Sequence, residues 1–277
     1  MGEERLAEFY GLKIWPMDPK TKEGQARFKT ALDSFKHLVS HDFFKSVIEN
    51  RDSIEILEVC SGTGIGGCAL AKILNELGIK VNLLVTDIRD EDLDKASEWV
   101  DFNIQLDVMV LDARETHKLD RKFDVVLMYG SSSPHFNPWD MMRVLTGISY
   151  VLRDNSLFIM EDVDRRYNIF YLMKYKDVIT GKTLDGSIYL DMHTGYDIVR
   201  GVFKRTYTIL PRAEKVIEIE SYFWGIAELA ALSWIFFMDV DIVRVNRQYF
   251  ILAAKPRRKI LPNDLSENPR VLKSPSL

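Results

Sequence analysis

The most restrictive stretch of the chain is ILEVCSGTGIGGCAL, Ile56–Leu70. An apolar run stops at glycines 62, 64, 66 and 67, and the spacing of Leu70, Ile73, Leu74 and Leu77 starts a helix at once. Glycine lets the chain turn sharply and lets backbone approach a ligand with no side chain between. The helix start adds free N–H groups and a partial positive charge. A strand–turn–helix unit of this kind builds a pocket for a nucleotide-like ligand.

The rhythm around this unit predicts a fold class. Strands are expected at Ile54–Cys60, Lys80–Thr86, Leu106–Leu111, Phe123–Met128 and Leu157–Glu161. Helices are expected between them, through Leu93, Ala96 and Val100, and through Met141, Val144, Leu145 and Ile148 after the capping pair Asn137-Pro138. Alternating strands and helices mean a parallel sheet with helices on both faces, an α/β fold. Residues 22–50 read as one or two amphipathic helices behind an aromatic and proline-rich arm, FYGLKIWPMDP. The region of about 165–222 breaks the alternation. Aromatic residues at helical spacing (Tyr167, Phe170, Tyr171, Tyr175) could line an acceptor pocket, but such spacing more often marks core. Strand-like stretches SIYLDM, YDIVRGVF, RTYTIL and KVIEIESYF follow, and together they predict an inserted antiparallel sheet. A helix over Ile226–Phe237 and a hairpin, Asp239–Pro256, complete the pattern. The organisation expected is an N-terminal arm with helices (1–50) acting as a lid, one domain over 51–256, and a fraying tail over 257–277.

Bulk properties narrow the class of partner. With 277 residues, 47% of them hydrophobic, the chain can bury a large core. Its net charge of -4 lacks the basic excess of a nucleic-acid binder, so a nucleic-acid partner is disfavoured. Lys255–Lys259 is the one basic cluster and reads as a solvated tail. Cys60 and Cys68 read as two buried thiols, which suits a reducing, cytoplasmic setting, and no zinc or other metal site is expected. No apolar run is long enough to span a bilayer. A homo-oligomer is left open.

The glycines also satisfy a dinucleotide fingerprint through Gly62, Gly64 and Gly67, with Asp87 about 20 residues on, so NAD stays in play on that motif alone. Two acids favour another ligand. Glu58 lies in the first strand four residues before Gly62, where a carboxylate helps a ligand with ammonium and sulfonium charges and does nothing for pyrophosphate. Asp112 closes the third strand, in VLDARE, where it can accept from an adenine amine.

With the terminal hairpin added, the chain resembles the class I S-adenosylmethionine-dependent methyltransferase family over roughly 40–163 and 224–256. The resemblance implies a three-layer α/β/α sandwich, a mostly parallel seven-stranded sheet with a C-terminal antiparallel hairpin, a helical N-terminal arm and a β-rich insertion after strand 5. It implies S-adenosylmethionine as cofactor, with S-adenosylhomocysteine as product. The first motif is matched by Glu58–Gly66, including Gly62, Thr63 and Gly64. Asp87 is then expected on the ribose hydroxyls with Ile88 beside it, Asp112 near adenine with Ala113 supplying backbone, and Tyr129 lining the cofactor or methyl pocket. The fourth-strand region, MYGSSSPHFNPWD, lacks the N-P-P-Y or D-P-P-Y pattern of base and glutamine amino-group methylation.

Methyl transfer needs mainly positioning, and a protonated acceptor also needs a base, worth typically about 10²–10⁴-fold. His135, after the fourth strand, is the candidate base, since an ordinary histidine titrates near ~6.5. A loop histidine without a catalytic role is the competing reading. Glu161 and Asp162 could bind a cationic acceptor or serve as caps. Tyr10 and Trp15 could fold over the cofactor or simply pack. His193 reads as a surface residue. The function expected is methyl transfer to a small molecule. The alternatives are an RNA or protein methyltransferase of the same fold, a non-catalytic cofactor-binding subunit, and an NAD-linked oxidoreductase.

Overall fold

The structure is a computed structural model and describes residues 2–211 and 216–273; the start of the expected strand KVIEIESYF (Lys215) and the last residues of the expected tail lie outside the described residues. Seven strands form the main sheet: β1 (Ser53–Val59), β2 (Lys80–Asp87), β3 (Gln105–Val110), β4 (Phe123–Met128), β5 (Leu152–Asp162), β10 (Phe237–Val245) and β11 (Gln248–Pro256). Their order is β10-β11-β5-β4-β1-β2-β3, and only β11 runs against its neighbours. The order reverses at β1, which pairs with both β2 and β4. In open α/β sheets ligands bind outside the carboxyl ends of the strands at such a switch point, and the glycine turn leaves β1 there.

Strand parity sorts the core into two layers. Ile54 and Ile56 of β1, Val125 and Leu127 of β4, and Leu157 and Ile159 of β5 pack against α2 (Lys22–Leu38), α3 (Asp42–Ile48) and α4 (Ile65–Glu76). Leu57, Val59, Val126, Met128, Phe158 and Met160 face α5 (Pro138–Val151) and α6 (Ile226–Phe236). Helix α2 has little propensity of its own to persist. It buries Phe28, Ala31, Phe35 and Leu38, and each large apolar side chain contributes roughly 1.5–3 kcal/mol, so packing holds it. Asn137 caps α5 by accepting from the N–H of Trp139 and Asp140, as its sequence predicts.

A second, antiparallel sheet lies between β5 and α6, in the order β6 (Val178–Lys182), β7 (Ile188–Asp197), β8 (Val202–Leu210), β9 (Val216–Ser221). The N-terminal α1 (Glu3–Tyr10) joins it through Phe9, which packs with Ile217 and Ile219.

Several expectations are corrected. YDIVRGVF is not one strand: Asp197 accepts from the N–H of Val199 and Arg200, and Gly201 has φ +68°, so residues 198–201 form the β7–β8 turn. The weakly patterned β6 escapes the sequence. The helix expected after β2 is a 3₁₀ turn, Leu93–Trp99. Tyr167–Leu172 is a short π-helical turn with no buried residue, so its aromatic spacing does not mark core. β1 ends at Val59, and Cys60 is only half-buried. The tail is docked through residue 265: Arg257 N–H donates to Phe236 O, and Arg143 Nε donates to Leu265 O at 3.0 Å. Arg257 and Arg258 of the basic cluster are likewise spent on Phe237 O and Asp154.

At the end of the sheet away from the glycine turn, buried Asp124 accepts from Arg51, from Arg153 Nη1 at 2.7 Å and from Glu55 N–H at 2.9 Å. Removing a carboxylate so engaged strands its donors. Asp124→Ala is expected to cost about 2 kcal/mol or more in urea unfolding and to leave ligand affinity unchanged.

Candidate active site

A cavity of about 550 Å³ opens at the carboxyl end of the sheet, between the glycine turn, the ends of β2 to β5, the N-terminal arm and the small sheet. Eight of the ten residues expected at the site line it: Gly62, Thr63, Asp87, Ile88, Asp112, Ala113, Tyr129 and His135. Glu58 and Gly64 do not. Gly64 is the N-cap of α4 at φ +78°, a backbone role. Glu58 has the parity of Ile54 and Ile56, so it points beneath α4, where Oε2 accepts the N–H of Gly67 at 2.8 Å. A Cβ on Gly66 would come within 2.5 Å of Glu58 Oε1, which is why α4 can start so close to β1 only with glycine there. The helix start that would hold a pyrophosphate is therefore already engaged by an internal carboxyl. That engagement weakens the NAD reading.

Both strand-end acids are held by an arginine two residues on. Asp87 accepts Gly62 N–H on Oδ2 at 2.8 Å, and on Oδ1 it accepts the N–H and Nε of Arg89 at 3.0 and 3.1 Å. Asp112 accepts Arg114 N–H at 2.9 Å and Nε at 3.0 Å. Burial alone would raise the Asp112 carboxyl, but the hydrogen bonds and charge of Arg114 outweigh it and hold it below its ordinary value. A carboxylate has about four acceptor sites, so Asp87 keeps capacity on Oδ2 for a ligand hydroxyl, whereas Asp112 Oδ2 also accepts Arg114 Nε and Nη2, and a ligand amine there must share it with the guanidinium.

The arm closes the near wall. Thr63 Oγ1 donates to Met17 O at 2.8 Å, and Leu184 N–H donates to Lys13 O at 2.8 Å, which ties the arm to the glycine turn and to the small sheet. The Arg89 guanidinium stacks 4.1 Å from the centre of the Tyr10 ring, and Tyr10 Oη lies 2.8 Å from His135 Nε2. Trp224 Nε1 donates to Ser133 O and Phe136 O, fixing the loop that carries His135. His135 departs from the ordinary titration assumed from sequence: burial first, then the charges of Arg165 and Arg89, push its pKa down to about 3. It is a neutral ring across the physiological range. Glu161 lies on the far wall and accepts from Gly130 N–H at 2.9 Å and Gln248 Nε2 at 3.0 Å. Burial raises its carboxyl despite those donors. Asp162 pairs with Arg165, and His193 bonds Tyr175 Oη away from the cavity.

Sequence reasoning missed four cavity-lining arginines, Arg27, Arg165, Arg89 and Arg114. The repeated Asp-x-Arg of DIR and DAR could have flagged the last two; a single arginine on α2 carries no such signal. Arg27 makes one long bond, to Pro16 O at 3.4 Å, and no ion pair among the described residues. Ser61 Oγ is buried without a partner. A free guanidinium, an orphaned hydroxyl and two strand-end acids in one cavity fit a nucleoside that also carries an amino-acid group. Among the described residues no three His, Cys, Asp or Glu side chains gather as a metal site, and no helix is long and apolar enough to cross a membrane.

The buried Glu58 gives a pH test. Burial, opposed by the Gly67 hydrogen bond, pushes its pKa from 4.5 up to about 8. The folded protein thus holds this proton more tightly than the unfolded chain. The associated stability is full below pH 4.5 and is lost as pH rises through about 8, with a slope of at most ~1.4 kcal/mol per pH unit. Glu58→Gln is expected to flatten that part of the stability profile in urea titrations between pH 5 and 9; an unchanged slope would assign it to another group.

Residues 56–155 match a family model described as a methyltransferase domain. No curated protein sequence matches the chain. Among solved structures, a protein from Pyrococcus horikoshii OT3 shares 21% identity and a TM-score of 0.58, covering 90% of this chain and 98% of its own. An S-adenosylmethionine-dependent methyltransferase from Clostridium acetobutylicum shares 14% identity and a TM-score of 0.60, covering 82% and 92%. The sugar N-methyltransferase KedS8 from Streptoalloteichus shares 14% identity and a TM-score of 0.51, covering 82% and 87%. With the family match laid over the strand–glycine–helix unit and its two acids, residues 56–155 are similar to a methyltransferase domain, and the chain shares its fold with an S-adenosylmethionine-dependent methyltransferase.

Proposed function

We propose that the chain methylates a small molecule enclosed between the N-terminal arm and the four-stranded sheet. The observation that carries this reading is the make-up of the cavity: Phe9, Tyr10 and Trp15 of the arm and Tyr207, Ser221 and Phe223 of the sheet segment line a space of about 550 Å³, the size of a small molecule. A folded protein or a duplex would not fit such a space, and the sugar N-methyltransferase among the solved structures acts on a small molecule with the same fold.

In this reading Asp87 takes the ribose hydroxyls, with Ile88 packed beside them. Asp112 and Ala113 take the adenine edge. Gly62, Thr63 and Tyr129 line the amino-acid portion, and Arg27 meets its carboxylate. Glu58 and Gly64 act indirectly, by setting the shape of the turn. The cofactor supplies a methyl group already activated by sulfonium, so the chain's residues contribute alignment and exclusion of water. The arm does both, since Met17 and Tyr10 seal the turn and the ribose side. The arm, residues 2–17, thus serves as a lid, while α2 and α3 belong to the core, and the sheet inserted at about 165–222 serves as the acceptor wall.

Thermal unfolding with S-adenosylmethionine, S-adenosylhomocysteine and NAD tests the assignment. A ligand at about 100 times its dissociation constant adds roughly 2.7 kcal/mol to the folded state. Shifts are expected with the first two alone, lost in Asp87→Ala and weakened about tenfold or more in Arg27→Ala, whose carboxylate contact is charge-assisted. A shift with NAD alone would overturn the cofactor-site assignment. Full shifts in Asp87→Ala would place the ligand elsewhere.

A further inference from the structure

The contact between Tyr10 and His135 bears on the class of acceptor, given the cofactor placement proposed above. One proton lies between Tyr10 Oη and His135 Nε2, 2.8 Å apart. Among the described residues Tyr10 Oη has no second hydrogen-bond partner, and His135 Nδ1 is buried with none. If the imidazole donated, both the phenol proton and the Nδ1 lone pair would be left without partners. If the phenol donates, only one group, the Nδ1–H, is left over. Buried orphan groups each cost about 1–3 kcal/mol, so the second arrangement is favoured. His135 then carries its proton on Nδ1, and its basic nitrogen is already occupied by Tyr10.

The groups facing this ring reinforce its neutrality. They are Tyr10 from α1, Arg89 after β2 and Arg165 after β5, and the two guanidinium groups disfavour a second proton on the ring. The carboxyl groups of the cavity are already engaged by other donors. Asp87 and Asp112 are held by arginine, and Glu161 is held by Gly130, Gln248 and Ser131. Burial pushes the Cys60 thiol up.

We propose that Tyr10 is a positioning residue that fixes His135 as a hydrogen-bond donor, and that the site is therefore built for an acceptor nitrogen arriving as a neutral amine. A hydroxyl acceptor must lose its proton as it reacts, and His135 has no free lone pair facing Tyr10 to take it. A neutral amine brings a free lone pair. That pair forms the N–C bond to the methyl group while the C–S bond breaks onto sulfur. The positive charge passes from sulfur to nitrogen, and the nitrogen gives its extra proton to water. The same burial and arginine charge that keep His135 unprotonated keep such an amine in its free-base, nucleophilic form.

Nitrogen-15 NMR of the full chain with labelled histidine, free and with S-adenosylhomocysteine, reads the tautomer directly, with His135 assigned by its loss in His135→Asn. The expected spectrum has a protonated Nδ1, an unprotonated Nε2 and no imidazolium down to pH 5. Tyr10→Phe should move the ring toward the Nε2–H form. A protonated Nε2 with Nδ1 free, or a titration midpoint between pH 6 and 7, would make His135 a usable base and overturn the proposal. As a second readout, benzylamine and benzyl alcohol are offered as a matched pair. Methylation of the alcohol overturns the proposal, methylation of the amine alone supports it, and the NMR result decides without either. Calorimetry with S-adenosylhomocysteine on the same sample separates the two readings: absent binding with the expected tautomer would defeat the cofactor placement while leaving the Tyr10–His135 assignment standing.

Discussion

The site depends on the carboxylate of Asp87. It fixes the glycine turn through Gly62 N–H and anchors Arg89 through two further hydrogen bonds. Arg89 in turn reaches Asp92 at 2.7 Å and stacks on Tyr10, and Tyr10 meets His135. A single buried anion thus joins the end of β2, the turn after β1, the N-terminal arm and the loop after β4. Charge-assisted bonds of this kind are roughly twice as strong as neutral ones, and Asp87, Arg89 and Asp92 are buried. The arm therefore sits where it does because a guanidinium is already held for it.

The arrangement gives one structural logic to two functions. The main sheet supplies rigid strand ends, and those ends carry the polar groups of the cofactor side. The acceptor side is built from segments outside the alternating core, namely the arm, the 131–136 loop and the four-stranded sheet. These can vary without disturbing the β1–β2–β4 register, which is how one fold can serve many acceptors. In this chain they bring in aromatic rings and arginine charge.

Where the sequence was legible, a strong local pattern matched a global one. The strand β4, the cap at Asn137, the hairpin β10–β11 and the glycine turn carry their own signals in periodicity and turn chemistry. Gly62, Thr63, Asp87, Ile88, Asp112, Ala113 and Tyr129 could be placed on the cavity because each follows a strand end. The illegible parts depend on tertiary contact. Nothing in the sequence says that Glu58 turns beneath α4, that Arg27 crosses from α2 to the turn, or that burial and two arginines strip His135 of its ordinary basicity. Tyr167–Leu172 shows the opposite failure, since its apolar spacing mimics a core helix in a segment whose side chains are exposed.

The most direct measurement is a crystal structure of the full chain with S-adenosylhomocysteine bound. The account predicts the purine against Asp112 and Ala113, the ribose on Asp87 with Arg89 still in place, and the amino-acid carboxylate on Arg27 beneath a closed arm. Ligand density outside this cavity, or a ribose with no contact to Asp87, would contradict it.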